Sequence, residues 1–196
     1  MSELLSYFQL AWQHVLDINN YNHVVFLIAL AVPYAFKDWK RVLLLVTIFS
    51  IGQTLGLLLS IFGIIMIKSV LVDFLIPITI LITAIFNLFT VGKSYKGNGI
   101  NLIGIITLFF GLIHGLEFSI FFKSIAKGGL SDKMKPLLEF ALGIEASQIL
   151  IVLIVLIVSY TVQNFFSFSK RDFTLVLSAF IIGVVLPLIV KNAVWN

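Results

Sequence analysis

Not one of the 196 residues is a cysteine. That absence excludes disulfides, thiolate metal sites, iron–sulfur clusters and cysteine nucleophiles, so any bound metal must be held by imidazole, carboxylate or amide groups. Charge is nearly as scarce: 11% of the residues are Asp, Glu, Lys or Arg, against about 25% in an average soluble domain. So few charges cannot clothe a water-facing surface. With 60% hydrophobic residues and a mean hydropathy of +1.12, the chain reads as a membrane protein. Nucleic-acid binding and disorder are excluded as well, because the pI near 9.4 rests on a formal charge of only +4, and the basic residues lie between apolar runs. A cleavable signal peptide is not expected, since Glu3 is the only charge before Asp17 and a basic n-region is missing. Enzyme signatures are missing too: there is no His-Glu-x-x-His, no Gly-x-Ser-x-Gly, and no evident base for Ser119 or Ser147. The residual enzymatic reading is an intramembrane hydrolase using His114 and Glu117 around a metal-bound water.

What is present is apolar sequence in long runs. A spanning helix needs about 20 mainly apolar residues, and six segments approach that: 23–36, 42–61, 70–91, 100–122, 137–160 and 173–190. The first is short and must borrow residues from Asn19 to Asn22, or be supported by the helix before it. Ahead of it, the stretch from Leu4 to Leu16 carries Gln9, Gln13 and His14 and reads as an interfacial or partly inserted amphipathic helix. The expectation is an all-α polytopic bundle in the lipid bilayer, one domain over residues 1–196, with six spanning helices after the amphipathic one. Six crossings leave seven Lys and Arg on one face (37, 40, 41, 93, 96, 170, 171) and six on the other (68, 123, 127, 133, 135, 191). The positive-inside rule then leans toward both termini outside the cytoplasm, because four of the second set belong to one loop. At an offset of 91 residues His23 maps on His114, Phe49 on Phe140 and Gly52 on Gly143. Such an echo would divide the chain into three-helix halves, 1–95 and 96–196, of opposite orientation.

Ionisable groups inside spanning helices are costly and therefore mark candidate sites. His114, Glu117, Glu139, Glu145, Gln148 and Gln53 all fall toward one face, and His14, Asn22 and His23 enter from it. Asn87, near the opposite face, is the exception. His114 and Glu117 are three residues apart, as are Glu145 and Gln148, so each pair shares one side of its helix. Gly111, Gly115 and Gly143 would let backbones approach closely there. The expected arrangement is two facing helices with His114, Glu117, Glu145 and Gln148 between them. Imidazole and carboxylate without thiolate suit nickel, cobalt or zinc and disfavour copper(I). The plainer reading is interhelical hydrogen bonding.

The runs Gly111-Leu-Ile-His114-Gly-Leu-Glu117-Phe118 and Glu139-Phe-Ala-Leu-Gly143-Ile-Glu145-Ala-Ser-Gln148 resemble the HupE/UreJ family of hydrogenase and urease accessory membrane proteins. The likeness covers nearly the whole chain and takes in His14-Val-Leu, Asn22-His23, Phe49-Ser-Ile-Gly52-Gln53-Thr54, Asp73 and Asn87. It implies a polytopic protein that moves nickel or a similar divalent ion across the bacterial inner membrane. Several positions depart from the family pattern. Asn22-His23 stands where the family has Asp-His, Gly52-Gln53-Thr54 where it has Gly-His-Ser, Glu117 in place of a glycine, Ala141 in place of an asparagine, and Ser147 in place of a glycine. One carboxylate, one imidazole and one amide are thus exchanged for the new carboxylate of Glu117. Two functions are expected from this. One is a divalent-metal permease with metal ligands His114, Glu117, Glu145, His23 and His14, and with Asn22, Gln53, Glu139 and Gln148 around the cavity. The other is a transport-inactive paralogue serving as a membrane subunit or assembly factor, with a membrane-protein partner or a second copy.

Overall fold

The computed structural model describes residues 6–92 and 99–195. Leu4 and Leu5 of the amphipathic stretch, and most of the loop expected over 92–99, lie outside them. Seven α-helices follow one another: α1 (Ser6–Val15), α2 (Asn22–Ala31), α3 (Trp39–Ile61), α4 (Ser69–Thr90), α5 (Gly99–Ile125), α6 (Leu130–Phe165) and α7 (Lys170–Val190). Short 3-10 turns lie at Ile18–Asn20, Phe36–Asp38 and Ala193–Trp195, and no strand occurs among the described residues. The protein is an all-helical membrane bundle. Helices α3 to α7 are each long and apolar enough to cross a membrane.

The first expected span is revised. Helix α2 has ten residues, about 15 Å at 1.5 Å per residue, or half of a hydrocarbon core about 30 Å thick. Its apolar run continues to Phe36, but the helix does not. Val32 closes the last turn by donating its N–H to Ile28 O, and Pro33, which has no N–H to give, follows at once. A helix end at membrane depth leaves carbonyls that water does not reach. Two side chains meet them: Asn87 Nδ2 on α4 donates to Ala29 O at 2.7 Å, and Thr174 Oγ1 on α7, whose one hydrogen is shared with Lys170 O at 2.9 Å, reaches Val32 O at 3.2 Å. Asn87, isolated in the sequence, is therefore a cap for another helix. Replacing it with leucine is expected to destabilise the bundle by about 1–3 kcal/mol, the cost of a buried carbonyl left without a donor. Unfolding of the purified variant in detergent measures this; Asn87→Leu unfolding at the wild-type midpoint would refute the capping role.

Two seams of small residues set the helix heights. Gly52 and Gly56 on α3 face Gly111 and Gly115 on α5. A Cβ on any of the four would run into the facing backbone, at Leu108 O, Leu112 O, Phe49 O and Gln53 O respectively. This is the small-xxx-small pattern on both partners, and it brings the backbones into van der Waals contact. Gly143 on α6 admits α1 in the same way, against Phe8 O and the Cβ of Ala11. Helix α1 is thus a built-in part of the bundle, with Ala11 and Val15 fully buried. The rest of the interior is mainly aliphatic, with the rings of Phe26, Phe49, Phe118, Phe122 and Phe140 fully enclosed within it. Of the residues paired by the 91-residue offset, His23 and His114 are neighbours, Gly52 and Gly143 each receive another helix's backbone, and Phe49 and Phe140 pack edge-on against His114 and Phe118 respectively.

Candidate metal centre

The site begins with a reversal of the chain. After α1, Asp17 Oδ1 accepts hydrogen bonds from the backbone N–H of Asn19 at 2.9 Å and from its side chain at 3.0 Å. This Asx-type turn ends one helix and starts the next. It puts His14, in the last turn of α1, beside His23, in the first turn of α2, with ring centroids 5.9 Å apart. Helix α5 contributes Glu117. Asn20, from the turn, donates to Glu117 Oε1 at 2.7 Å and is itself the acceptor for Asn22 Nδ2 at 3.3 Å. Glu117 Oε2 lies 3.4 Å from His23 Nε2. The two rings are flanked by aromatic neighbours from α5. His23 stacks on Phe118 at 4.5 Å and His14 stacks on Phe121 at 4.3 Å.

His14, His23 and Glu117 each offer one ligand atom, and the three atoms lie within 4.8 Å of one another. Ligands of a tetrahedral ion with bonds of about 2.1 Å stand about 3.4 Å apart, so the His23–Glu117 separation already matches. His23 is fully buried and the Glu117 side chain is 13% exposed. Even so, His14 Nε2, both ring nitrogens of His23 and Glu117 Oε2 have no hydrogen-bond partner among the described residues. Buried polar atoms are nearly always hydrogen-bonded; here each of the three residues has one ligand atom without a hydrogen bond that can face a common centre, while the second nitrogen of His23 points away from it. Burial, and then the neighbouring His23, lowers the pKa of His14, against smaller opposing effects of Glu117 and Asp17. Its imidazole is therefore kept neutral, the form with a lone pair to give.

His114 sits one layer deeper. Its ring centroid is 5.6 Å from that of His23, and its Nε2 is 2.9 Å from Thr79 Oγ1 on α4. Thr79 Oγ1 also lies 2.7 Å from Ile76 O; the tautomer in which Thr79 donates there puts the ring hydrogen on His114 Nε2 and leaves Nδ1 bare. Nδ1 has no hydrogen-bond partner among the described residues. Beyond it, the rings of Phe26 and Phe49 close over His114 at 4.9 and 5.2 Å.

The remaining expected residues lie elsewhere. Glu145 accepts from Thr47 Oγ1 at 3.0 Å, and Gln148 Nε2 donates to Gln53 Oε1 at 2.6 Å. Both partners are on α3. The expected space between α5 and α6, with His114, Glu117, Glu145 and Gln148 inside it, is not formed, because the glycine seam draws α3 onto α5 and α3 then receives the polar side of α6. Glu139 is half-buried on α6 and outside the three-residue group. Asn22 supports the site through Asn20. The sequence reading had not singled out Asn20, Thr79 or Thr47. Asn20 carried a usable signal, as one of three asparagines just ahead of His23.

A sequence model described as HupE / UreJ protein matches residues 1–192 of the chain. No curated protein and no solved structure matches it.

Proposed function

The chain belongs to the HupE / UreJ protein family, and from that premise we propose that it is a permease for a divalent transition-metal ion, nickel, cobalt or zinc. The observation that carries this reading is the convergence of His14, His23 and Glu117, with ligand atoms inside 4.8 Å and four polar atoms unpaired. Two imidazoles and a carboxylate suit these ions. Membership of an accessory membrane family argues for transport over catalysis, and the protein is assigned to the bacterial inner membrane with its termini outside the cytoplasm.

The departures from the family pattern support a relocated charge. Asn22 is neutral where an aspartate is usual, but Glu117, arriving from α5 and held by Asn20, restores a carboxylate beside His23. An ion entering from the side of the termini would exchange water first for His14, then for His23 and Glu117, and then for the bare Nδ1 of His114. Release toward the far side requires Phe26 and Phe49 to move.

Equilibrium titration of the full chain in detergent with Ni²⁺, Co²⁺ and Zn²⁺ tests this. One site is expected for at least one ion, and His23→Ala should remove it. Absence of binding at micromolar metal would end the permease reading. A second reading, a transport-inactive membrane subunit, is favoured by the neutral Gln53–Gln148 contact, which serves as interhelical glue. It predicts co-purification with a partner whatever the metal, and full tolerance of His23→Gln.

A further inference from the structure

At the opposite end of the bundle a cavity of about 550 Å³ lies between α2, α4, α5 and α7, a volume that accommodates one ligand of moderate size. Its body is apolar, with Ala29, Leu30 and Phe110 on the inner wall. Ile82, Phe86 and Ile106 line the side and are themselves 40–48% exposed, so the slot opens laterally between α4 and α5 toward the hydrocarbon. The mouth is different in kind. Arg41, from the first turn of α3, and Lys170 and Arg171, from the first turn of α7, line it together with a single carboxylate, Asp38.

These three cations have no ion pair among the described residues, where the only one is His23–Glu117. Asp38 Oδ2 is engaged by the backbone N–H of Ala35 at 3.0 Å. Arg41 lies over the ring of Tyr34 at 5.3 Å, and its buried Nε has no hydrogen-bond partner among the described residues. Three cations against one carboxylate repel a divalent metal ion, so the slot is a poor exit for the proposed cargo. It is a fit for an anion. The cations sit at the starts of α3 and α7, at the ends of apolar helices long enough to cross a bilayer, the level expected for phosphate headgroups, and the apolar slot adjoins them. We propose that this crevice binds one anionic phospholipid of the bilayer, its phosphate against Arg41, Lys170 and Arg171 and an acyl chain between α4 and α5.

The test is native mass spectrometry of the full chain released from nanodiscs containing equal phosphatidylglycerol and phosphatidylcholine. The expected result is one retained phosphatidylglycerol, preferred about tenfold or more, as three basic contacts to one headgroup would give. Arg41→Gln/Arg171→Gln should abolish the preference. Thr83→Phe, which fills the slot and leaves the cations in place, should abolish retention. Helicity by circular dichroism confirms that each variant folds, and His23→Ala should retain the lipid, which separates this site from metal binding. Equal retention of both lipids, or retention unchanged in both variants, would overturn the assignment. Thermal stabilisation by inorganic phosphate equal to that by phosphatidylglycerol would also overturn it, by identifying a site for a soluble anion.

Discussion

Gly115→Val is expected to leave little or no correctly folded protein. The side chain would have to occupy the place of Gln53 O, a backbone atom on the facing helix that no rotamer change can remove. Ordinary overpacking costs about 1–3 kcal/mol, and here helix α5 must separate from α3 along a whole seam. Size-exclusion chromatography after mild solubilisation reads the outcome, with the monodisperse peak lost in the variant. Gly104→Ala is the control on the same helix. Its Cβ would meet only Ile48 Cδ1 at 3.5 Å, an ordinary contact, and it should elute as wild type. A monodisperse, fully helical Gly115→Val protein would refute the close backbone contact between α3 and α5 at this glycine.

Glu117→Gln is the second large effect, and it acts on binding alone. The amide has nearly the same shape and keeps an oxygen for Asn20, which now donates to Oε1 at 2.7 Å. What disappears is the only anionic group in the three-residue cluster. Loss of a supporting partner around a metal typically lowers affinity by about 10–100-fold, so loss of an anionic ligand itself should exceed about a hundredfold. Glu145→Gln provides the contrast, because Glu145 is turned to Thr47, and its affinity should match wild type. Equal losses in the two variants would mean that both carboxylates reach the ion, and the cluster described here would be the wrong one.

Those two carboxylates also show how far the sequence could be read. Three-residue spacing placed Glu145 and Gln148 on one side of α6, and they do share it: one reaches Thr47, the other Gln53. Periodicity gives the side of a helix that is polar; it does not say which helix faces that side. The neighbour was decided by glycines, and Gly52 and Gly56 were as visible as Gly111 and Gly115, but their pairing is a tertiary fact. The span from His23 to Phe36 was misread for a different reason. Hydropathy counts apolar residues whether or not they are helical, and Pro33 was the local signal that α2 stops. His14 and His23 were legible as polar residues entering from one face, and the sharp turn at Asp17 brings them together with Glu117. Asn20 and Thr79 remained hidden because an amide or hydroxyl becomes part of a site only through its partner, and those partners lie 97 and 35 residues away.

The seating of α1 on α6 has a kinetic consequence. His14 rides on α1, ten residues long among the described residues and seated at Gly143, whereas His23 and Glu117 lie on α2 and α5. One of the three proposed ligands is thus carried on a separate short helix seated at a single glycine. For an ion held as proposed, residence time would depend on that seating, and a change at Phe8, Ala11 or Gly143, far from any proposed ligand atom, would be expected to alter the rate of release while leaving His23 and Glu117 in place.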